Sequence, residues 1–197
     1  MRWDNLFEDL EGQLEHELSA EELDIRAEEE RLRLSRLLLR DRLFAVHESH
    51  PDEAVTLTLV DGLVLRVRPR TFGRDWFSAD LVDESARAGQ GIIPIAAIGS
   101  LAVEKDQVAP SLGATLEQAT TGSLAARLSL AFVVRDLCRR RAALDLRTPT
   151  GVVHGTIDRV GRDHLDLAEH AAGEPRRDAA VMRVRIIPLA QVLLVRP

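Results

Sequence analysis

An internal duplication constrains this chain more than any other feature. Val55-Thr56-Leu57-Thr58-Leu59-Val60-Asp61-Gly62 and Leu144-Asp145-Leu146-Arg147-Thr148-Pro149-Thr150-Gly151 are both alternating segments that stop at a glycine. Leu63 to Arg70 then matches Val152 to Arg159, and each leads into the same tripeptide, Gly73-Arg74-Asp75 or Gly161-Arg162-Asp163. Trp76-Phe77-Ser78-Ala79-Asp80-Leu81 and His164-Leu165-Asp166-Leu167 follow. Both copies close with an Ile-Ile-Pro segment, Ile92–Ile98 or Ile186–Val192. Several blocks in one order, with gaps only at turns, are the signature of a repeated structural unit.

Each copy reads as five short strands. Period-2 alternation places Val55, Leu57 and Leu59 on one face, and likewise Leu144 and Leu146, then Val153, Gly155 and Ile157, then Leu165 and Leu167. The Gly-Arg-Asp segments suit tight hairpins, with glycine supplying an unusual torsion and aspartate capping the turn. Pro94 and Pro188 cannot donate to a ladder, so each is expected to end strand four. A five-stranded sheet of this size with one apolar face hides its edges by curling. The expected fold class is therefore mainly β with helices: two tandem five-stranded Sm/SH3-like barrels, each preceded by a helix, after a long N-terminal amphipathic helix. The expected organisation is an acidic helical arm over 1–47, barrel one over 53–105, a linker over 106–120 containing Pro110 and Gly113, and a helix with barrel two over 121–197.

The helix before the second unit is expected to start at a Thr121-Gly122-Ser123 cap. It would carry Leu124, Leu128, Ala131, Phe132, Val134, Leu137 and Cys138 as an apolar stripe and end at Arg139-Arg140-Arg141. In the first helix Trp3, Phe7, Leu10 and Leu14 share a face, Ser19 and Glu22 form a capping box, and Leu18, Ile25, Leu32, Leu39 and Val46 recur every seven residues. That heptad is a coiled-coil pattern, and the arm is expected to bind a protein partner or a second copy of the chain.

Helix, five strands and the Gly-x-Ile-x-x-Val continuation in Gly155 to Val160 resemble the Sm/LSm barrel family, over about 50 residues per copy and better in the second. That family binds RNA as rings. Leu165-Asp166-Leu167 stands where it has Met-Asn-Leu, and Ile186-Ile187-Pro188 where it has a basic residue and glycine. Asp166 replaces a base-contacting amide, so the resemblance implies the fold and not uridine recognition. The whole chain also resembles a group of actinobacterial proteins, some labelled Fis-type transcription regulators. Leu124–Arg139 lacks the nearby partner helix that a helix-turn-helix requires.

Composition narrows the function. The 197 residues are 45% hydrophobic and 29% charged, with a net charge of −6. No apolar run is long enough to span a bilayer and no signal peptide is visible at the N-terminus, so no membrane partner is expected. The lone Cys138 and the absence of a disulfide partner fit a reducing cytoplasm. Charge is uneven. Residues 1–47 hold 13 acidic and 7 basic side chains, residues 48–122 hold 11 and 6, and residues 123–197 hold 8 and 13. The basic third makes RNA or DNA the alternative partner, through Arg139, Arg140, Arg141, Arg176, Arg177, Arg183 and Arg185.

No phosphate-binding loop, dinucleotide turn, metalloprotease helix or Cys-x-x-Cys pair occurs. His154, His164 and His170 lie near Asp158, Asp163 and Asp166, but their spacing matches no ligand motif. No catalytic residue, metal or cofactor is expected. Trp76 is out of phase with inward Phe77. Exposed beside Arg66, Arg68 and Arg74 it would be a binding hot spot; the alternative is that it folds over the first helix. The expected function is that of a non-enzymatic cytoplasmic adaptor or scaffold.

Overall fold

A computed structural model describes residues 22–82, 89–113, 124–173 and 176–197. The chain divides into two compact units, Met1–Leu38 and Leu39–Pro197. In the first, residues 22–35 form helix α1. Its surface is laced with short-range ion pairs, Arg26–Glu22, Arg31–Glu28 and Arg33–Glu30. The single long helix expected over 1–47 is not what forms. The described helix stops at 35, and Arg36 and Leu37 make tighter bonds back to Arg33 and Leu34. A new helix, α2, starts at Leu39 and runs to Ser49. Trp3, Phe7, Leu10, Leu14 and the Ser19 cap lie outside the described residues.

The second unit is mainly β. Among the described residues its ten strands are β1 (Val55–Leu59), β2 (Val64–Phe72), β3 (Trp76–Leu81), β4 (Gly89–Pro94), β5 (Ile98–Ala102), β6 (Ala143–Thr148), β7 (Gly151–Val160), β8 (His164–Glu169), β9 (Arg183–Pro188) and β10 (Leu194–Arg196). All pair antiparallel in one open sheet of order β5-β1-β2-β3-β4-β10-β6-β7-β8-β9. This departs from the expected pair of separate barrels. Neither five-strand half closes on itself, because β4 takes β10 of the other half as its neighbour. Pairing across the halves hides the β4 edge as effectively as closure would.

Within the sheet the two halves share one strand order and one register. Val55 faces Val67 as Leu144 faces Gly155; Phe77 faces Ile93 as Leu165 faces Ile187; Leu57 faces Leu101 as Leu146 faces Val195. Even the bulge recurs, at Pro69–Thr71 and at Ile157–Arg159. The sequence match is off by one residue in β2 and β7: the second hairpin turn, Pro149-Thr150, is shorter than 60–62, so Val64 corresponds to Val152. The expected inward residues are buried, and after Pro94 and Pro188 a 3-10 turn leads to the fifth strand.

Two cores lie beneath the halves. The first collects Leu57, Leu59, Phe72, Phe77 and Ile93 with Leu43 and Val46 of α2; Phe44 meets Phe72 edge-on at 5.2 Å. The second collects Leu144, Leu146, Ile157, Leu165 and Leu167 with Leu130 and Val134. The linker expected over 106–120 begins instead as a helix, α3 (Lys105–Leu112). Glu104 and Gln107 form a reciprocal capping box, and buried Gln107 donates to Glu53 at 2.8 Å. Before the second half, the expected continuous helix is broken into α4 (Leu124–Arg127) and α5 (Leu130–Arg139), and the 121–123 cap lies outside the described residues. No helix among the described residues is long and apolar enough to cross a membrane.

The Gly-Arg-Asp glycines serve a purpose other than the expected torsion. Positive φ occurs at Gly62, Gly151 and Gly173, and not at Gly73 or Gly161. What they provide is room: a Cβ on Gly73 would lie 2.1 Å from Trp76 Nε1, and one on Gly161 2.6 Å from the His164 ring. Trp76 is buried and His164 is exposed, so only the histidine can swing away. Gly73→Ala should therefore destabilise the fold by about 1–3 kcal/mol, an overpacking cost, and Gly161→Ala by under about 0.5 kcal/mol. Denaturant titration of the two variants checks the contrast.

Candidate functional site

The seam between the halves shows how a strand edge of this sheet is covered. Val195 of β10 pairs with Ile92 of β4, and the two cores exchange side chains there. Leu193 and Leu194 belong to the first core, while Trp76 and Ile92 pack into the second. Trp76 is only 7% exposed, which corrects both expectations for it, a surface hot spot and a cover for the first helix. Its Nε1 donates to the Leu128 carbonyl at 3.0 Å, and the Arg74 N–H donates to the same oxygen at 2.9 Å. Asp75 accepts the Leu130 N–H at 2.7 Å and so caps α5. These bonds hold residues 128–129 out of helical conformation, which explains the break between α4 and α5. Arg147 adds a bridge to Asp61 of the first half at 2.6 Å. Burial alone would raise the Asp61 carboxyl, but bonds from the Leu63 N–H and from Arg147 outweigh it and leave the group below its ordinary range.

The two outer strands of the sheet, β9 and β5, have a neighbour on one side alone among the described residues. On β9, Val184 is 54% and Ile186 71% exposed, with Met182 beside them at 63%. Ile92, the counterpart of Ile186 in β4, is half-buried, and Pro94 is buried where Pro188 is exposed. Exposed apolar side chains along an unpaired strand are a ready binding surface.

The arginines of the basic third do not form one open patch. Arg139 and Arg140 both bind Asp136, at 2.7 and 2.6 Å. Arg176 grips Asp158 with two bonds of 2.8 and 2.7 Å and also reaches Asp178. Arg141 lies 3.8 Å from Asp158, and Arg183 and Arg185 share Glu169. Arg177 is exposed. Of the first-half candidates, Arg68 donates to the Asp52 carbonyl at 2.7 Å, while Arg66 is exposed at the rim of a cleft of about 380 Å³. The other cations of that cleft, Arg147 and Arg196, are paired with Asp61 and Asp145.

The histidines separate rather than gather. His164 pairs with its neighbour Asp163 at the surface. His154 Nδ1 lies 2.7 Å from Asp145, with its other nitrogen buried and without a hydrogen-bond partner. His170, expected only as part of a loose cluster, is 1% exposed; its Nε2 meets the Thr156 hydroxyl at 2.9 Å, and its ring lies edge-on to His154. The sequence signal for this burial is faint: Thr156 is a polar residue in the middle of β7 and His170 one just past the end of β8. Among the described residues no group of three or more His, Cys, Asp or Glu side chains is placed to hold a metal ion. Cys138 is a half-buried thiol on α5.

No family model matches the chain, and no curated protein or solved structure is significantly similar to it.

Trp76 ties the two cores together, so Trp76→Ala should cost about 3–5 kcal/mol, while His164→Ala at the equivalent exposed place should stay within about 0.5 kcal/mol. Chemical denaturation followed by far-ultraviolet circular dichroism measures both. Arg176 holds the Asp158 carboxyl below the usual carboxylate range. A carboxylate depressed in the folded state stabilises above its unfolded pKa, and that contribution is lost as pH falls through the folded value. Melting temperature should therefore drop on acidification below about pH 4, and Asp158→Asn should flatten that drop while lowering stability at neutral pH.

Proposed function

We propose that this chain is a non-enzymatic adaptor of the cytoplasm, a scaffold that binds a protein partner or further copies of itself. One observation carries the reading: β9, which among the described residues has no strand on its outer side, leaves Ile186 exposed where its counterpart Ile92 is half-buried at the seam, with Val184 exposed beside it. Specific association through such an edge combines main-chain hydrogen bonds with apolar side-chain contacts. The arm supplies a second surface in this reading. Leu23, Ile25 and Leu32 of α1 are exposed, on a helix whose ion pairs stabilise it locally. The heptad beyond residue 35 has another use, since Val46 is buried in the first core. A coiled-coil contact would therefore rest on residues before Ser35.

Two features favour binding over chemistry. The Asp145–His154 pair keeps its outer nitrogen buried, where a substrate does not reach it. Arg176 is already held by Asp158 and Asp178, which weakens the case for RNA or DNA as the partner. Full-length tagged protein should retain a stoichiometric protein partner through nuclease treatment when captured from its own cells. Val184→Asp with Ile186→Asp should abolish that capture without changing the melting temperature. Loss of the partner on nuclease treatment, or capture indifferent to the double variant, would overturn the reading.

A further inference from the structure

The internal seam is a worked example of how two edges of this sheet fit together, and the molecule leaves one more of each kind unused. By register, β9 is the second-half counterpart of β4, and β5 is the first-half counterpart of β10. From these correspondences we infer that β9 of one chain pairs antiparallel with β5 of a second copy, placing Ile186 opposite Leu101 as Ile92 stands opposite Val195 within the chain. This rests on the scaffold reading above and names its partner.

Three observations support the second copy as the occupant. The apolar pair is conserved in kind between the seam and the free edges: Ile186 is 71% exposed on one side and Leu101 half-buried on the other, where Val195 is fully buried once paired. The packing around that pair is complementary with sizes exchanged. In the seam Leu194 sits over Gly91, whose Cβ would come within 2.7 Å of it. At the free edges the corresponding residues are Ser100 and Arg185, small where the seam has a leucine and large where it has a glycine. The charges also match. The β9 half carries 13 basic and 8 acidic side chains over 123–197, while the β5 half carries 6 and 11 over 48–122, so unlike halves of two copies are opposite in net sign and like halves are not.

The contact is heterologous, one kind of edge meeting another, so a pair formed through it still has one free β9 and one free β5. Association therefore runs past the dimer until the ends meet or the chain extends. The turn after β8 matters to the same surface. His164 occupies the place of Trp76, and Asp163 that of the helix-capping Asp75, so the second copy would meet a smaller ring and a carboxylate that bonds His164 and, among the described residues of its own chain, caps no helix.

Sedimentation of the full-length protein over a concentration series reaching about 100 μM, enough to saturate a micromolar contact, gives the test. Wild type should sediment well above twice the 21.9 kDa chain mass. Ile186→Asp blocks the β9 edge, and Ser100→Arg sets a like charge beside Arg185 on the β5 edge. Both positions are exposed, so at dilutions where the wild type is itself monomeric both variants should keep its melting temperature, and both should stay monomeric across the series. Mixed in equal amounts, they retain one intact β9 and one intact β5 between them and should form a one-to-one dimer and nothing larger. A monomeric wild type, variants that keep the wild-type mass, or a mixture that stays monomeric would each overturn the proposal. A monomeric wild type that still captures a nuclease-resistant protein through Ile186 would do so while leaving the scaffold reading intact.

Discussion

The β4–β10 seam is the contact on which the rest of the second unit depends. A five-stranded half of about 50 residues buries too little apolar surface to be comfortable alone, and each half here completes its core with side chains from the other. Leu193 and Leu194 enter the first core, and Trp76 and Ile92 enter the second. The exchange is made specific by a carbonyl. Leu128 accepts from Trp76 Nε1 and from the Arg74 backbone, and so gives up its helical role and interrupts the helix between α4 and α5. Gly73 is the local condition for all of it, since any larger residue would occupy the space of the indole ring.

Near-identity of the halves makes their differences informative. Strand order, register, bulge and the proline before strand five are common to both. Among the residues that differ are those at the seam and their counterparts at the free edges: Trp76 and His164, Gly91 and Arg185, Leu194 and Ser100. Differences at these places are what unequal environments produce, because an edge buried within the chain and an edge left at its end meet different surroundings. The Asp61–Arg147 bridge belongs to the same asymmetry, for Thr58 and Thr150 stand in the corresponding places.

Alternation and repetition were legible in the residues because both are local. The strands, the inward set from Val55 to Leu167, the turn glycines Gly62 and Gly151 and the role of Pro94 and Pro188 all follow from short-range rules. Trp76 was not legible as a buried residue. Its phase in β3 points it away from its own core, and the core that takes it is built from Leu130 to Val195, more than 50 positions onward. The same non-local pairing merged the two expected barrels into one sheet. The break at residues 36–38 divides a heptad whose regularity suggested one helix, because Val46 serves a core and Leu32 does not. The arginine-rich stretches read as a patch along the sequence, yet Asp136, Asp158 and Glu169 reach them from other turns and strands.

The way copies meet follows from what lies on the edges. Two β9 strands paired with each other would set Arg183 and Arg185 of one chain against the same residues of its mate, with one Glu169 per chain to offset them. Like charges directly opposite in an antiparallel pair are destabilising. Two β5 strands would bring together rows that are mostly small, Gly99, Ser100 and Ala102 around Leu101, and so have less apolar surface to bury than β5 against β9. Only the unlike pairing joins an apolar row to a small-residue row and a basic half to an acidic one. A chain made of two fused copies that uses one such contact internally is left with one unlike pair of ends, and that inequality, more than any single side chain, gives its association a direction.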